Sequence, residues 1–463
     1  MDDRMSLLIK NGRIITASDD YVADILCEGE VITKIAPQIS AEGATEVIDA
    51  AGKYVFPGFI DPHVHIYLPF MGTFAKDDYI TASKAALVGG TTSLIEMCCP
   101  ARSDEPLESY ELWLSKAKES ACDYTFHMGV SRLDDSAVTQ LREIVKRGIA
   151  SFKIFLAYKG AFGINDEELY GALKLAKELG VIVTAHCENE TLVSQLQAQL
   201  ISEGKTGPEW QDASRPPRVE AEGVHHLMTF AEMTGAHVYC VHTSCREALE
   251  AVQEGQLRGV HAWVESVIPH FVLDKTYTAK PNFEGSKYVM SPPLRDASQH
   301  EALWAGLQSR LISTVGTDHA PFDFAGQKDM GKDNFTKIPN GIPSIEDRVN
   351  ILYTHGVCRG RIDLNTFVDA ASTQAAKLFG LYPRKGTIAV GSDADLVIYD
   401  PQYRGKLSVK TQEMAVDYNA FEGWEIEGRP TEVTVRGKVQ VRDGKFVGEL
   451  GHGQLLTRKP THF

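Results

Sequence analysis

At 463 residues the chain has length for two or three domains, and its 43% apolar and 24% charged residues are ordinary globular values that exclude a disordered polypeptide. A formal net charge of −15 with no long basic run repels nucleic acid over most of the surface and leaves small neutral ligands unaffected. No apolar run reaches the length of a membrane span, and the start Met1-Asp2-Asp3-Arg4-Met5 carries acid where a secretory signal carries base, so a cytoplasmic protein without a membrane partner is expected.

Residues 6–56 read as short strands with turns, at 7–15, 23–35 (broken at Glu28-Gly29), 46–48 and 54–56. Strand-like and helix-like segments then alternate. Candidate strands lie at 58–66, 91–98, 123–130, 151–158, 181–188, 237–243, 261–266 and 311–318, roughly the eight βα units that close a parallel barrel. The clearest helix is 165–179, with Asn165 or Asp166 as cap, acids in the first turn and Gly180 at its stop; another is 372–379, ended by Gly380. The gap from 266 to 311 and the Gly-, Lys- and Asp-rich stretch 322–343 depart from the repeat, as binding loops on the C-terminal side of a barrel do.

The C-terminal end returns to β texture at 394–399, 432–436 and 439–442, with Asp443-Gly444 as a hairpin signal before Phe446-Val447. Two β-rich ends around a different middle give one small domain from both termini. The expected division is 1–56 and 384–463 for that domain and 57–383 for a (β/α)8 barrel carrying catalysis, with the tail 450–463 a candidate to embrace a neighbouring subunit. The eight cysteines, among them adjacent Cys98 and Cys99 and the strand-associated Cys187, Cys240 and Cys245, form no spaced disulfide framework and read as buried thiols.

The first barrel strand runs Gly58-Phe-Ile-Asp-Pro-His-Val-His-Ile-Tyr67, and strand alternation puts His63 and His65 on one face. Alone, such a pair is as compatible with hydrogen bonding at a strand end as with metal ligation. The other strands supply the test. The fourth reads Ser151-Phe-Lys153-Ile-Phe-Leu, the fifth ends in His186, the sixth in His242 and the eighth in Asp318. Polar residues thus fall at one end of five strands and form a type set suited to a metal.

Lys153 is the odd member. An ammonium inside an apolar strand beside divalent cations suffers desolvation and repulsion, so the free amine becomes accessible and can add carbon dioxide; the alternative is a lysine that snorkels out to solvent. The carbamate, N6-carboxylysine, would bridge two ions, with His63, His65 and Asp318 on the first and His186 and His242 on the second. Two ions about 3.5–4 Å apart would share a water or hydroxide and aim it as nucleophile. Asp318 would take its proton and deliver it to a leaving nitrogen, which amounts to metal-assisted hydrolysis of an amide. Four imidazoles with carboxylate-type oxygens suit zinc first, and also manganese, cobalt or iron.

With these residues in place, the chain resembles the cyclic amidohydrolases of the hydantoinase and dihydropyrimidinase group, most closely the bacterial D-hydantoinases. The stretches 58–70, 151–158, 184–189, 290–295, 315–321 and 338–348 carry the resemblance, which spans essentially the whole length. It implies a binuclear metal centre with carboxylated Lys153, a (β/α)8 barrel with a β-sandwich from both termini, and homotetrameric assembly. It further implies Tyr158 as the hydroxyl that stabilises the oxyanion, main-chain groups at Ser291 and Asn340 as holders of the ureide ring, and Leu68, Phe155 and Phe162 as the side chains that shape the pocket for the exocyclic substituent. Dihydroorotases usually carry arginine two residues after the second histidine, where Tyr67 stands here. A neutral ring, a 5-substituted hydantoin or a dihydropyrimidine, therefore ranks ahead of dihydroorotate, with allantoin between. All six ligand positions are filled, against the non-catalytic scaffold relatives of this fold.

Overall fold

A computed structural model describes residues 6–461. The start Met1-Asp2-Asp3-Arg4-Met5, read as carrying acid where a secretory signal carries base, and the last two residues of the tail lie outside the described residues.

Eight parallel strands, Phe59–Val64, Thr91–Cys98, Asp123–Gly129, Ser151–Phe155, Ile182–His186, Val238–Cys240, Ala262–Val267 and Ile312–Gly316, pair in sequence order. Beyond the last strand the Asp318 amide donates to the His63 carbonyl at 3.0 Å and the His65 amide to the His319 carbonyl at 2.8 Å, which closes the barrel. The barrel is covered inside and out, so its strands are near-continuous apolar runs rather than alternating ones. Helices fill the connections. Asp166–Leu179 is capped by Asn165, whose side chain accepts from the Glu168 amide while Glu168 reaches back to the Asn165 amide. This reciprocal cap decides between Asn165 and Asp166 and is worth about 1 kcal/mol.

Strands from the two ends of the chain form one mixed nine-stranded sheet, joined where Leu396–Tyr399 runs antiparallel to Tyr54–Pro57. Ile9, Ile25, Ile48, Leu396 and Ile398 meet in its separate apolar core. Lys385 ties sheet to barrel, its ammonium 2.7 Å from Asp123, 3.0 Å from Asp393 and 2.7 Å from Asp395. That internal cation makes the three acids an ion network rather than a metal cage.

Two expectations need correction, and the course of the tail adds a further observation. The helix anticipated at 372–379 belongs to a longer helical path that starts at Leu364, capped by Asp363, and widens by a π turn at Asp369–Thr373. Asn365 and Thr366 are poor helix formers, and burial of Phe367 against Phe56 and Phe59 overrides their preference. The strands near 394–399 and 432–436 are much longer, Leu396–Lys406 and Glu425–Val435, and pair with each other beyond the core. Finally, the described part of the tail lies on its own barrel: the Leu456 amide donates to Tyr124, the Arg458 amide to Gly148, and the buried Arg458 guanidinium to the Phe126 carbonyl and, at 3.0 Å, to Ser151.

Candidate functional site

The residues singled out at the strand ends converge. His63 Nε2 and His65 Nε2 stand 3.3 Å apart and contact the same Asp318 oxygen, Oδ1, at 3.0 and 3.1 Å. On the facing side His186 Nδ1 and His242 Nε2 are 2.9 Å apart, and candidate ligand atoms of His63, His242 and Asp318 all fall within 4.8 Å of one another. Lys153 is fully buried between the two groups, and its Nζ has no hydrogen-bond partner; the path to solvent left open by the sequence is not taken.

These strands end earlier than their apolar runs suggest. The sixth stops at Cys240 and the eighth at Gly316, because His242 (φ 39°) and Asp318 (φ 52°) adopt the left-handed region, as does Tyr158 (φ 63°) after the fourth. For side chains other than glycine this conformation is costly and concentrates at functional positions. Here it turns each side chain inward over the barrel mouth.

Carboxylates behind the histidines set their orientation. Glu265, fully buried on the seventh strand, accepts from His63 Nδ1 at 2.7 Å and from the His242 amide at 3.0 Å with Oε1, and from the Tyr239 hydroxyl at 2.9 Å with Oε2. His63 therefore donates through Nδ1 and offers the lone pair of Nε2 to the cavity. Glu188 does the converse for His186, holding Nε2 at 2.7 Å and leaving Nδ1 free to face His242. Burial works to raise the Glu188 carboxyl, yet Arg215 and His186 hold it down at about 2, so it is ionised. Burial likewise opposes the charge of Asp318, but His63 and His65 keep it well below the carboxylate range. Burial pushes His65 down to about 4 and lowers the Lys153 ammonium against the pull of Asp318.

The donor set fits a divalent metal site. Burial favours the neutral imidazole at His65, His186 and His242, while at His63 it is outweighed by Glu265 and Asp318, which raise that ring; with an ionised Asp318, the atoms His65 Nδ1, His242 Nδ1 and Lys153 Nζ are left without a partner. Neither Glu265 nor Glu188 was singled out from the sequence. The signal was present in His261-Ala-Trp-Val-Glu265-Ser, an acid inside an apolar strand just like the lysine at 153. Glu265→Gln would keep the shape and remove the charge that polarises His63. Metal affinity is expected to drop about 10–100-fold, read as metal retained against a graded chelator; unchanged retention would remove Glu265 from the centre.

Beside this cluster a cavity opens to solvent, lined by Leu68, Phe155, Tyr158, Phe162, Ser291 and Asn340, all named above, together with Phe70, Ala320 and Gly341, which were not. Phe70 lies 5.6 Å from the Tyr158 ring and 6.1 Å from that of Phe162, completing an aromatic wall. Asn340 Nδ2 donates to Ser291 Oγ at 2.9 Å, and Gln211 Nε2 to the Met290 carbonyl at 3.0 Å. Burial raises the Tyr158 hydroxyl although Arg215, 5.5 Å from its ring, opposes the shift, so it stays a donor near neutrality. Tyr67 is not part of the lining; it packs on Trp113 at 4.8 Å and beneath the Lys116 ammonium at 4.4 Å. Among the described residues no arginine lines this inner cavity.

A profile of the amidohydrolase family matches residues 54–440. The chain is 47% identical to D-hydantoinase of Geobacillus stearothermophilus, over 98% of this chain and 97% of that one. It is 37% identical to dihydropyrimidinase of Rattus norvegicus, over 98% and 89%. Among solved structures, D-hydantoinase (dihydropyrimidinase) from Thermus sp. superposes with a TM-score of 0.97 at 66% identity, covering 99% of this chain and all of that one.

Proposed function

The chain belongs to the amidohydrolase family and is a hydrolase acting on the carbon–nitrogen bond of cyclic amides; from that premise we propose that it opens 5-substituted hydantoins and dihydropyrimidines to N-carbamoyl amino acids at a binuclear metal centre. The observation that carries this reading is the buried, partnerless Lys153 amine among four imidazoles and Asp318, beside a cavity with an aromatic wall.

His63, His65 and Asp318 would hold one ion and His186 and His242 the other, with zinc the best match to the donors. When bound, the ions polarise the ring carbonyl and bring the pKa of a water toward neutrality. Burial favours the neutral amine of Lys153. Its nitrogen would bond to the carbon of carbon dioxide and lose a proton to solvent, leaving an anionic carbamate whose oxygens would help to hold the metal.

Asp318 takes a proton from the attacking water and returns it to the ring nitrogen as the C–N bond breaks. Tyr158 donates its hydroxyl hydrogen to the carbonyl oxygen as negative charge develops there. Main-chain groups at Ser291 and Asn340 hold the ureide. Leu68, Phe155, Phe162 and Phe70 accept the exocyclic substituent and exclude water. A neutral ring suits a cavity from which Tyr67 is turned away. Homotetrameric assembly, as in many members of the group, and a cytoplasmic location, in line with eight free thiols, complete the proposal.

The test is a set of initial rates on dihydrouracil, hydantoin and both enantiomers of 5-phenylhydantoin, with metal quantified in the same preparation. Turnover by protein carrying two ions per chain is expected. A metal-loaded preparation inert toward all four compounds would sink the assignment.

A further inference from the structure

Lys328 is a second fully buried lysine, and the reaction as derived has no use for it. It sits in the short turn Lys328–Gly331 of the loop after the eighth strand, beyond Asp318 in the same loop. Its ammonium donates to the Gly341 carbonyl at 2.7 Å and to the Val289 carbonyl at 3.1 Å. No carboxylate pairs with it among the described residues, and burial pushes it down to about 7. An uncompensated buried cation is costly, and an unbranched apolar side chain would fill the same space at less cost.

What the ammonium bridges is the rim of the cavity. The Gly341 amide donates to the Val289 carbonyl at 2.9 Å, and Asn340 Nδ2 to Ser291 Oγ at 2.9 Å, so segments 289–291 and 340–341 run side by side. Lys328 crosses both at their carbonyls, each within two residues of Ser291 or Asn340. Its own main chain is tied down, the amide donating to the Asp323 carbonyl at 2.9 Å. Val289, whose carbonyl Lys328 holds, belongs to a small apolar cluster with Leu200, Phe335 and Ile338. Gly341 adopts φ 150°, where a Cβ would run into the Ala320 carbonyl, so this rim has little freedom to adjust by itself.

We propose that Lys328 is a positioning residue for ring recognition: its ammonium clamps the Val289 and Gly341 carbonyls so that the main chain at Ser291 and Asn340 presents its donors and acceptors to a cyclic ureide at a fixed spacing. One point source of three N–H donors can hold two carbonyls in a set relation, which an apolar side chain cannot. The inference rests on the reading of this cavity as the cyclic-ureide site.

The test uses the metal-loaded full chain, native and as Lys328→Met and Lys328→Gln, with KM and kcat for dihydrouracil and hydantoin, metal content and thermal unfolding measured on each. Lys328→Met is expected to raise KM tenfold or more, with kcat within threefold and metal content unchanged. Lys328→Gln, whose amide still donates two N–H groups, should recover part of the loss. A KM within twofold of native in Lys328→Met overturns the clamp, as does a joint fall of kcat and metal content. Failure of both variants to fold also overturns it, since the lysine then belongs to the fold rather than to recognition. If the native holoenzyme turns over no cyclic ureide, the site reading itself falls and takes the clamp with it; native turnover with unaltered KM in the variants sinks the clamp alone.

Discussion

Lys153→Ala is expected to lower turnover by more than about 10³-fold, the scale of losing a group required for transition-state charge stabilisation, and to strip the protein of divalent metal at the same time. The reason lies in what surrounds the side chain. Nζ is buried without a hydrogen-bond partner, burial favours its neutral form, and Lys153 lines the same cavity as His65, His186, His242 and Asp318. Alanine removes the nitrogen on which the proposed carbamate would form and leaves a void of the lysine's shape. Short carboxylic acids such as acetate or propionate should enter that void, supply two oxygens where the carbamate would have stood, and restore part of both activity and metal content. Rescue separates loss of a ligand from loss of the fold. Full activity in the variant without added acid would remove the carbamate from the mechanism.

Asp318→Asn should be nearly as damaging in rate and far milder in structure. Asparagine is among the few residues that tolerate the left-handed backbone found at this position (φ 52°), and its amide keeps the shape of the carboxylate. It cannot carry a proton from water to a leaving nitrogen. Losing that transfer should reduce kcat by about 10²–10⁴-fold, the usual worth of a positioned acid–base group, while KM changes little and the metal is largely retained. Steady-state kinetics together with metal analysis decide the matter. A variant that keeps kcat within tenfold of native would show that the proton travels by another group.

The two substitutions probe positions of unequal visibility. Lys153 stood out in Ser151-Phe-Lys-Ile-Phe because a cation in an apolar strand is conspicuous without knowledge of its neighbours. Glu265 obeyed the same rule and drew no notice, since its role appears only when the seventh strand is seen beside both His63 and His242. Lys328 was one charge among many in a loop rich in Gly, Lys and Asp, and its role appears only when the Val289 and Gly341 carbonyls are seen to converge on its ammonium. Phe70 lay within a stretch already marked by resemblance, yet only the ring contacts with Tyr158 and Phe162 make it part of the wall. The π turn at Asp369–Thr373 and the tail's course over its own barrel were likewise out of reach, because each is settled by packing against residues distant in the chain.

Taken by itself, the order of residues determined the eight strands, the β character of both ends, and the polar side chain that closes each of five strands. These are consequences of short-range backbone geometry, which writes its period of two or 3.6 directly into the spacing of apolar positions. Barrel closure decided the rest: it brings Glu265 to His63 across 202 positions of sequence and thereby selects the imidazole nitrogen that faces the cavity. A tautomer, a left-handed turn at His242 or an ammonium shared by two carbonyls depends on partners that no local pattern encodes, and exists only once the chain has folded around it.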